Sequence, residues 1–238
     1  VTAHPRDKLV IDLFGLNADD VKRQFPEVYQ HVKLEVKEKI VVKDDGTEEK
    51  VGRDWNNRES YRKNWWVFGE ARSEFRPALV GISRFVATPV TTKHRVFVML
   101  DEKILPDDAL MCFALSDAFD FGVLQSRVHL RWVSANASSL GIYIGDVRYI
   151  KSRCFDPFPF PDANDLQKQR IRSVAEEINA HRKRVLEEHP NLTLTGLYNV
   201  VEELCKGVKP DALDAVDRHA FDDGQVLIEF AEELLDET

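Results

Sequence analysis

The chain has 238 residues, with 33 Lys and Arg against 41 Asp and Glu for a net charge of −8, and 43% of it is hydrophobic. That is enough apolar matter for a sizeable core, and the charge imbalance is too small for an intrinsically disordered chain. Collagens and coiled-coil rods are excluded, and so is a helical membrane span, since no run approaches the ~18 apolar residues it needs.

The amino terminus, Val1-Thr2-Ala3-His4-Pro5, has no signal-peptide core and does not start with Met. The sequence therefore reads as a cytoplasmic piece of something longer, with no membrane partner. Cys112, Cys154 and Cys205 are isolated thiols, without a CxxC pair or a His at ligand spacing. They read as reduced packing residues, and neither a disulfide framework nor a metal site is expected.

From the cap Asn17, apolar residues Val21, Phe25, Val28, Val32 and Val36 recur at spacings of four and three, which predicts a helix to about Lys39. Pro26 lies inside this pattern and suits a helix's first turn, so the helix can equally start there. Val42 to Ser60 is polar and aperiodic, a linker or an exposed hairpin. Two runs rich in Val, Phe and Thr, Arg84 to Thr92 and His94 to Leu100, read as paired strands.

Pro106-Asp107-Asp108 predicts a helix start running through Leu115, and Phe119 to Trp132 predicts a second helical run. Asn136 to Gly145 reads as a loop and Arg148 to Phe155 as a short strand. Phe155-Asp156-Pro157-Phe158-Pro159-Phe160-Pro161 can be neither helix interior nor central strand, because three prolines remove donors and fix φ; it reads as a rigid apolar strap. Ile171, Val174, Ile178 and Val185 mark a long helix, and Leu194, Leu197, Val201 and Leu204 another, ending at Gly207. Shorter helices are expected at 210–220 and 225–235. The fold class is thus α+β: a mixed region of short strands and packed helices, followed by an all-helical end.

Charge is unevenly spread. Residues 61–153 carry 13 basic against 9 acidic side chains, and residues 154–238 carry 9 against 19. A basic middle interleaved with Trp, Tyr and His suits a phosphate-facing surface, whereas the acidic end would be repelled from DNA. Ordinary variation in a soluble protein accounts for the same numbers.

No GxGxxG, GxxxxGK[ST], HExxH, GxSxG or zinc-deaminase pattern is present. The acidic groups at Asp101-Glu102-Lys103 and Asp162 to Lys168 read as turn and helix-start caps rather than as a nuclease. No complete active site is written in the chain.

Several segments taken together resemble one family in order and spacing: Trp65-Trp66-Val67-Phe68-Gly69, Arg72, Arg76-Pro77-Ala78-Leu79, Arg84-Phe85-Val86-Ala87, Lys93-His94-Arg95-Val96-Phe97, Phe121 to His129, Trp132, Arg148-Tyr149 and the Phe155 to Pro161 strap. The chain resembles the target-recognition domain and helical carboxyl-terminal region of MmeI-like restriction-modification enzymes, which are adenine-specific DNA methyltransferases. Asp12 to Leu16 and Phe25 to Tyr29 are similar to the connection leaving the methyltransferase domain of these enzymes, and Leu194 to Asn199 to their helical end.

The resemblance implies three parts: a helical connector at 1–60, a target-recognition domain at 61–161 and a helical region at 162–238. It also implies double-stranded DNA and a missing methyltransferase domain as partners. S-adenosylmethionine is expected in that missing domain, and no cofactor in this one. The family's Asn-Pro-Pro-Tyr/Phe motif, cofactor-binding glycines and nuclease motif are absent, so the parent is expected to be the enzyme and this piece to bind DNA without modifying it.

Reading a duplex needs side chains that present donors to base edges, with basic and short polar groups on phosphates to fix the register. The candidates are Arg84, Lys93, His94, Arg95, Arg127, His129, Arg131, Ser138, Ser139, Arg148 and Tyr149. Each has a plainer reading as well. Arg127 and His129 fit a solvated face with a hydrogen-bonded histidine, Lys93 and His94 a surface turn, and Arg148 and Tyr149 structural support. Trp65, Trp66, Trp132, Phe158 and Phe160 read as core. The alternative function is a protein-interaction module of a phage-defence complex, docking through the acidic tail without reading bases.

Overall fold

The computed structural model describes residues 9–69, 72–139, 147–190 and 192–206. Their contacts divide into two compact units, one ending at Glu74 and the other beginning at Phe75. Sequence-predicted helices at 210–220 and 225–235 lie outside the described residues.

In the first unit, the Asn17 side chain accepts from the Asp20 amide at 2.8 Å and caps α1 (Ala18–Gln24). Pro26 interrupts the periodic pattern and starts a second helix, α2 (Pro26–Val32), as its first-turn residue, and a single π-helical turn over Lys33–Lys37 carries the chain on. The predicted single helix is therefore two, divided where proline has no amide to donate. The polar stretch that follows is the exposed hairpin of β1 (Ile40–Val42) and β2 (Glu48–Lys50), with α3 (Glu59–Lys63) after it. Leu13, Val21, Val32 and Trp65 form the core of this unit. Arg53 braces its far side by donating to the carbonyls of Asn64, Trp65 and Val67.

The second unit opens with α4 (Phe75–Ala78) and contains two small sheets. β3 (Arg84–Pro89) is the centre of the first, flanked antiparallel by β5 (Val98–Asp101) and β6 (Leu110–Phe113). The helix expected from Pro106 to Leu115 is thus a turn followed by a strand. The Asp107 side chain accepts from the Ala109 amide at 3.0 Å, so Asp107 makes an Asx turn instead of a helix cap. The second sheet joins β4 (Thr91–Thr92), β8 (Val147–Arg148) and β7 (Ser138–Ser139), with β8 in the middle. The two β-rich runs do pair, through Arg84 to Ala87 against Val98 to Asp101, while Thr91 and Thr92 leave for the other sheet.

The predicted run from Phe119 to Trp132 is two helices, α5 (Ala118–Gln125) and α6 (Arg127–Asn136). Ser126 takes extended backbone between them and caps α6, accepting from the His129 amide at 3.3 Å. The strand expected to run to Phe155 ends at Arg148, and α7 (Lys151–Cys154) follows. The long helix is α8 (Asp165–Glu188), started by a capping box between Asn164 and Gln167. Thr193 caps α9 (Leu194–Cys205).

Helices α5 and α8 pack closely because Gly122 removes a side chain where they meet. A Cβ there would stand 2.7 Å from Ile171 Cγ2 and 3.1 Å from Ala175 Cβ. The proline strap closes the unit: Phe158 is buried, its ring 4.6 Å from His129 and 5.9 Å from Trp132.

Candidate nucleic-acid interface

The β4–β8–β7 sheet sets the arrangement. Its register aligns Thr91, Arg148 and Ser138 in one row and Thr92, Val147 and Ser139 in the next. Directly opposed residues share a face, and successive residues along a strand alternate between faces. Val147 and Tyr149 on β8 and just beyond it pack into the core, so Arg148 between them points the other way. Arg148 and Thr91 are exposed and Ser138 is half-buried. Three groups able to donate hydrogen bonds, a guanidinium flanked by two hydroxyls, thus stand side by side on an outward face. A planar guanidinium can bind a base edge or a phosphate through two hydrogen bonds, and hydroxyls can hold backbone phosphate.

The inner side of the same sheet is tied down by Arg95. Its guanidinium donates to Val147 O at 2.6 Å, Val90 O at 3.4 Å, Thr88 Oγ1 at 3.1 Å and the Pro89 carbonyl. It also lies over the Tyr149 ring, 5.3 Å from its centroid. Burial lowers its pKa to about 10, which leaves it charged at neutral pH.

His129 is fully buried on α6. Its Nδ1 is 2.8 Å from Leu124 O and its Nε2 is 3.3 Å from Tyr149 Oη. A carbonyl can only accept, so Nδ1 carries the proton and Nε2 accepts from the Tyr149 hydroxyl. Burial pulls the His129 pKa down to about 4 and pushes the Tyr149 phenol up. Arg95, His129 and Tyr149 therefore spend their polar atoms inside the unit and support the sheet from beneath.

The remaining candidates are dispersed. Arg84 donates through Nε to Ser116 O at 3.1 Å and grips both Glu176 carboxylate oxygens of α8, a pairing that raises its pKa. Beside it, Arg172 holds Asp117 through two bonds of 2.7 Å and pulls that carboxyl below its ordinary value. Lys93 and His94 sit in the turn after β4 and face α9: Lys93 Nζ is 2.7 Å from Glu202 Oε2, and His94 Nε2 is 2.8 Å from Asn199 Oδ1.

Arg127, the first residue of α6, is half-buried. Arg131 is exposed on the side of α6 away from buried His129 and Val133. Ser139 continues the ladder opposite Val147. The rest of the loop expected to touch bases, residues 140–146, lies outside the described residues.

Arg148 and Ser138 are among the residues named from the sequence, but Thr91, which flanks Arg148 on the side opposite Ser138, is not, nor are Asn199 and Glu202. The only signal for Thr91 was its place in a β-rich run. Among the described residues, no group of three or more His, Cys, Asp or Glu could hold a metal, and no helix is long and apolar enough to cross a membrane.

No family model matches the chain. A stretch of 84 residues is 33% identical to DNA methyltransferase A of Bacillus subtilis (strain 168), covering 35% of this chain and 9% of that one. The fold is similar to the solved structure of the type IIL restriction-modification enzyme MmeI in complex with DNA. The TM-score is 0.50 and the identity 14%, over 94% of this chain and 26% of that one. The likeness to MmeI is one of fold, and it agrees with the resemblance visible in the sequence. The chain spans about a quarter of the length of that structure and under a tenth of the B. subtilis protein.

Proposed function

We propose that this chain is the duplex-reading portion of a larger, site-specific, adenine-specific DNA methyltransferase of a restriction-modification system. In this reading it holds double-stranded DNA in one register while the methyltransferase portion of the same parent flips and methylates the target base. The observation that carries the reading is the outward row of Thr91, Arg148 and Ser138 on a sheet braced from beneath by Arg95, Tyr149 and His129. A base reader needs donors held rigidly at fixed spacing, and a short three-stranded sheet on a buried polar network supplies them. The likeness in fold to a DNA-bound restriction-modification enzyme supports it.

In this assignment Arg148 reads a base edge, Thr91, Ser138 and Arg131 fix the backbone, Arg127 borders the surface, and Ser139 is the next rung of the ladder after Ser138. Arg84, Arg95, His129 and Tyr149 are supports. The divisions at residues 60 and 161 belong to the same proposal. S-adenosylmethionine is assigned to the parent's methyltransferase portion.

The test is selection of bound duplexes from a random DNA pool at low salt, followed by sequencing. An enriched motif that weakens as salt rises is the expected result. Enrichment of no motif, together with tight capture of a protein partner by the first unit, would favour an interaction module. The exposed Ile40, Val42 and Trp55 of that unit are the observation on which the second reading would stand.

A further inference from the structure

Lys93 and His94 present two nitrogen donors from one turn, and both meet oxygens supplied by α9. Lys93 Nζ lies 2.7 Å from Glu202 Oε2 and 3.0 Å from Asn199 Oδ1. His94 Nε2 lies 2.8 Å from the same Asn199 oxygen and 3.8 Å from the Glu202 carboxylate. Asn199 and Glu202 are three residues apart on a helix and therefore share a face. Two donors converging on a cluster of oxygens, one of them anionic, is the chemistry of a phosphate site. Here the oxygens come from the chain itself.

We propose that α9 is an intramolecular lock on the Lys93–His94 corner: Glu202 and Asn199 stand where a DNA backbone phosphate would stand, and a bound duplex takes their place. This rests on the reading of the chain as a duplex binder.

Three features make the exchange feasible. Side chains of Lys93 and Glu202 are 50% and 36% exposed, so the pair is reached by solvent and is of the weak, salt-screened kind. Glu202 is also held by Lys206, 3.0 Å from Oε1, so releasing Lys93 does not leave the carboxylate unpaired. The start of α9 is anchored separately, with Leu194 and Leu197 buried and Tyr198 bonded to the buried Arg182. Val201 packs against the same core, so the helix stays docked while the outward side chains of Asn199 and Glu202 swing away from Lys93 and His94. The hydrogen bonds from Lys93 and then Lys206 hold the Glu202 pKa down at about 2, so the lock stays charged across the working pH range.

The experiment measures binding of a labelled duplex of mixed sequence to the whole 238-residue chain over a salt series. Glu202→Gln keeps the shape and removes the charge; it should bind about threefold tighter at low salt, in keeping with one exposed ion pair. Asn199→Asp adds a second carboxylate and should bind more weakly by a similar factor. Lys93→Ala should erase the gain from Glu202→Gln and flatten the salt dependence by about one counterion. Melting temperatures report whether each variant folds. If Glu202→Gln and Asn199→Asp both bind as the unaltered chain does, the lock is overturned and the duplex reading stands. If neither the unaltered chain nor Glu202→Gln binds any duplex, both are overturned.

Discussion

The hydroxyl of Tyr149 donates to Nε2 of His129 across 3.3 Å of protein interior, and the other ring nitrogen of His129 is held by the Leu124 carbonyl. This pair joins α6 to the residue that follows Arg148, so the outward direction of Arg148 depends on a histidine that stays neutral. The rings of Phe97 and Phe158, at 5.4 and 4.6 Å, exclude water from it.

Stability should therefore fall in mildly acidic solution. The folded-state pKa of His129 is depressed to about 4 from an ordinary 6.5, so between those values the unfolded chain binds a proton that the folded chain does not. The contribution is fully present above about pH 6.5 and is lost as pH falls toward 4, by about 3 kcal/mol in all. His129→Gln offers a neutral donor and acceptor that do not titrate. In denaturant unfolding over pH 4 to 7, the stability gap between the two chains should narrow steadily as the solution is acidified. Parallel pH profiles would show that His129 is not the source.

Gly122→Ala tests the contact between α5 and α8. The new methyl would meet Ile171 Cγ2 at 2.7 Å and Ala175 Cβ at 3.1 Å, so the helices must part or Ile171 must change rotamer. Overpacking of this kind costs about 1–3 kcal/mol, even though alanine is the better helix former. Thermal unfolding should show the loss, and Ala175→Gly in the same chain should recover only part of it, because Ile171 is the nearer obstacle.

Asp117 performs two tasks at once. It caps α5 by accepting from the Phe119 amide at 2.9 Å, and it holds Arg172 of α8. Asp117→Ala should destabilise by about 1–2 kcal/mol through loss of the cap, and Asp117→Asn should retain most of that. Because the Arg172 and Asp117 side chains are 41% and 38% exposed, solvent screens their two-bond ion pair to about 1 kcal/mol or less, and raising salt should shrink the difference between Asn and Asp.

What was legible in the sequence follows from how local each signal is. α8 is readable because Asn164 and Gln167 cap it and Ile171, Val174, Ile178 and Val185 all fall on its buried face. The stretch from Leu110 to Phe113 is not, because Pro106-Asp107-Asp108 can start either a helix or a turn. Pairing with β3 settles the matter, and periodicity carries no sign of that partner. The same limit applies at the candidate interface. Arg148 is conspicuous as a residue type, but its neighbour Thr91 lies far away in sequence and the two meet only through strand register. Chemistry alone also could not separate Arg95 from Arg148: both are arginines in β-rich segments, and only burial makes one a brace and leaves the other outward-facing.

Arg148 is where the proposed reading is most exposed to refutation. Its side chain is exposed on the outward face of β8, where a base edge can reach both prongs of the guanidinium. Arg148→Ala should weaken binding to the selected duplex by about 1–3 kcal/mol, a factor of ten or more, and relax preference at one position of the motif. Arg148→Lys keeps the charge but loses the two-pronged geometry. It should therefore restore most of the affinity for mixed-sequence DNA while leaving that position relaxed. Competition binding against a panel of single-base variants separates these outcomes. If Arg148→Ala lowers affinity equally for every sequence in the panel, Arg148 binds a phosphate, and the base-reading role must fall to other residues.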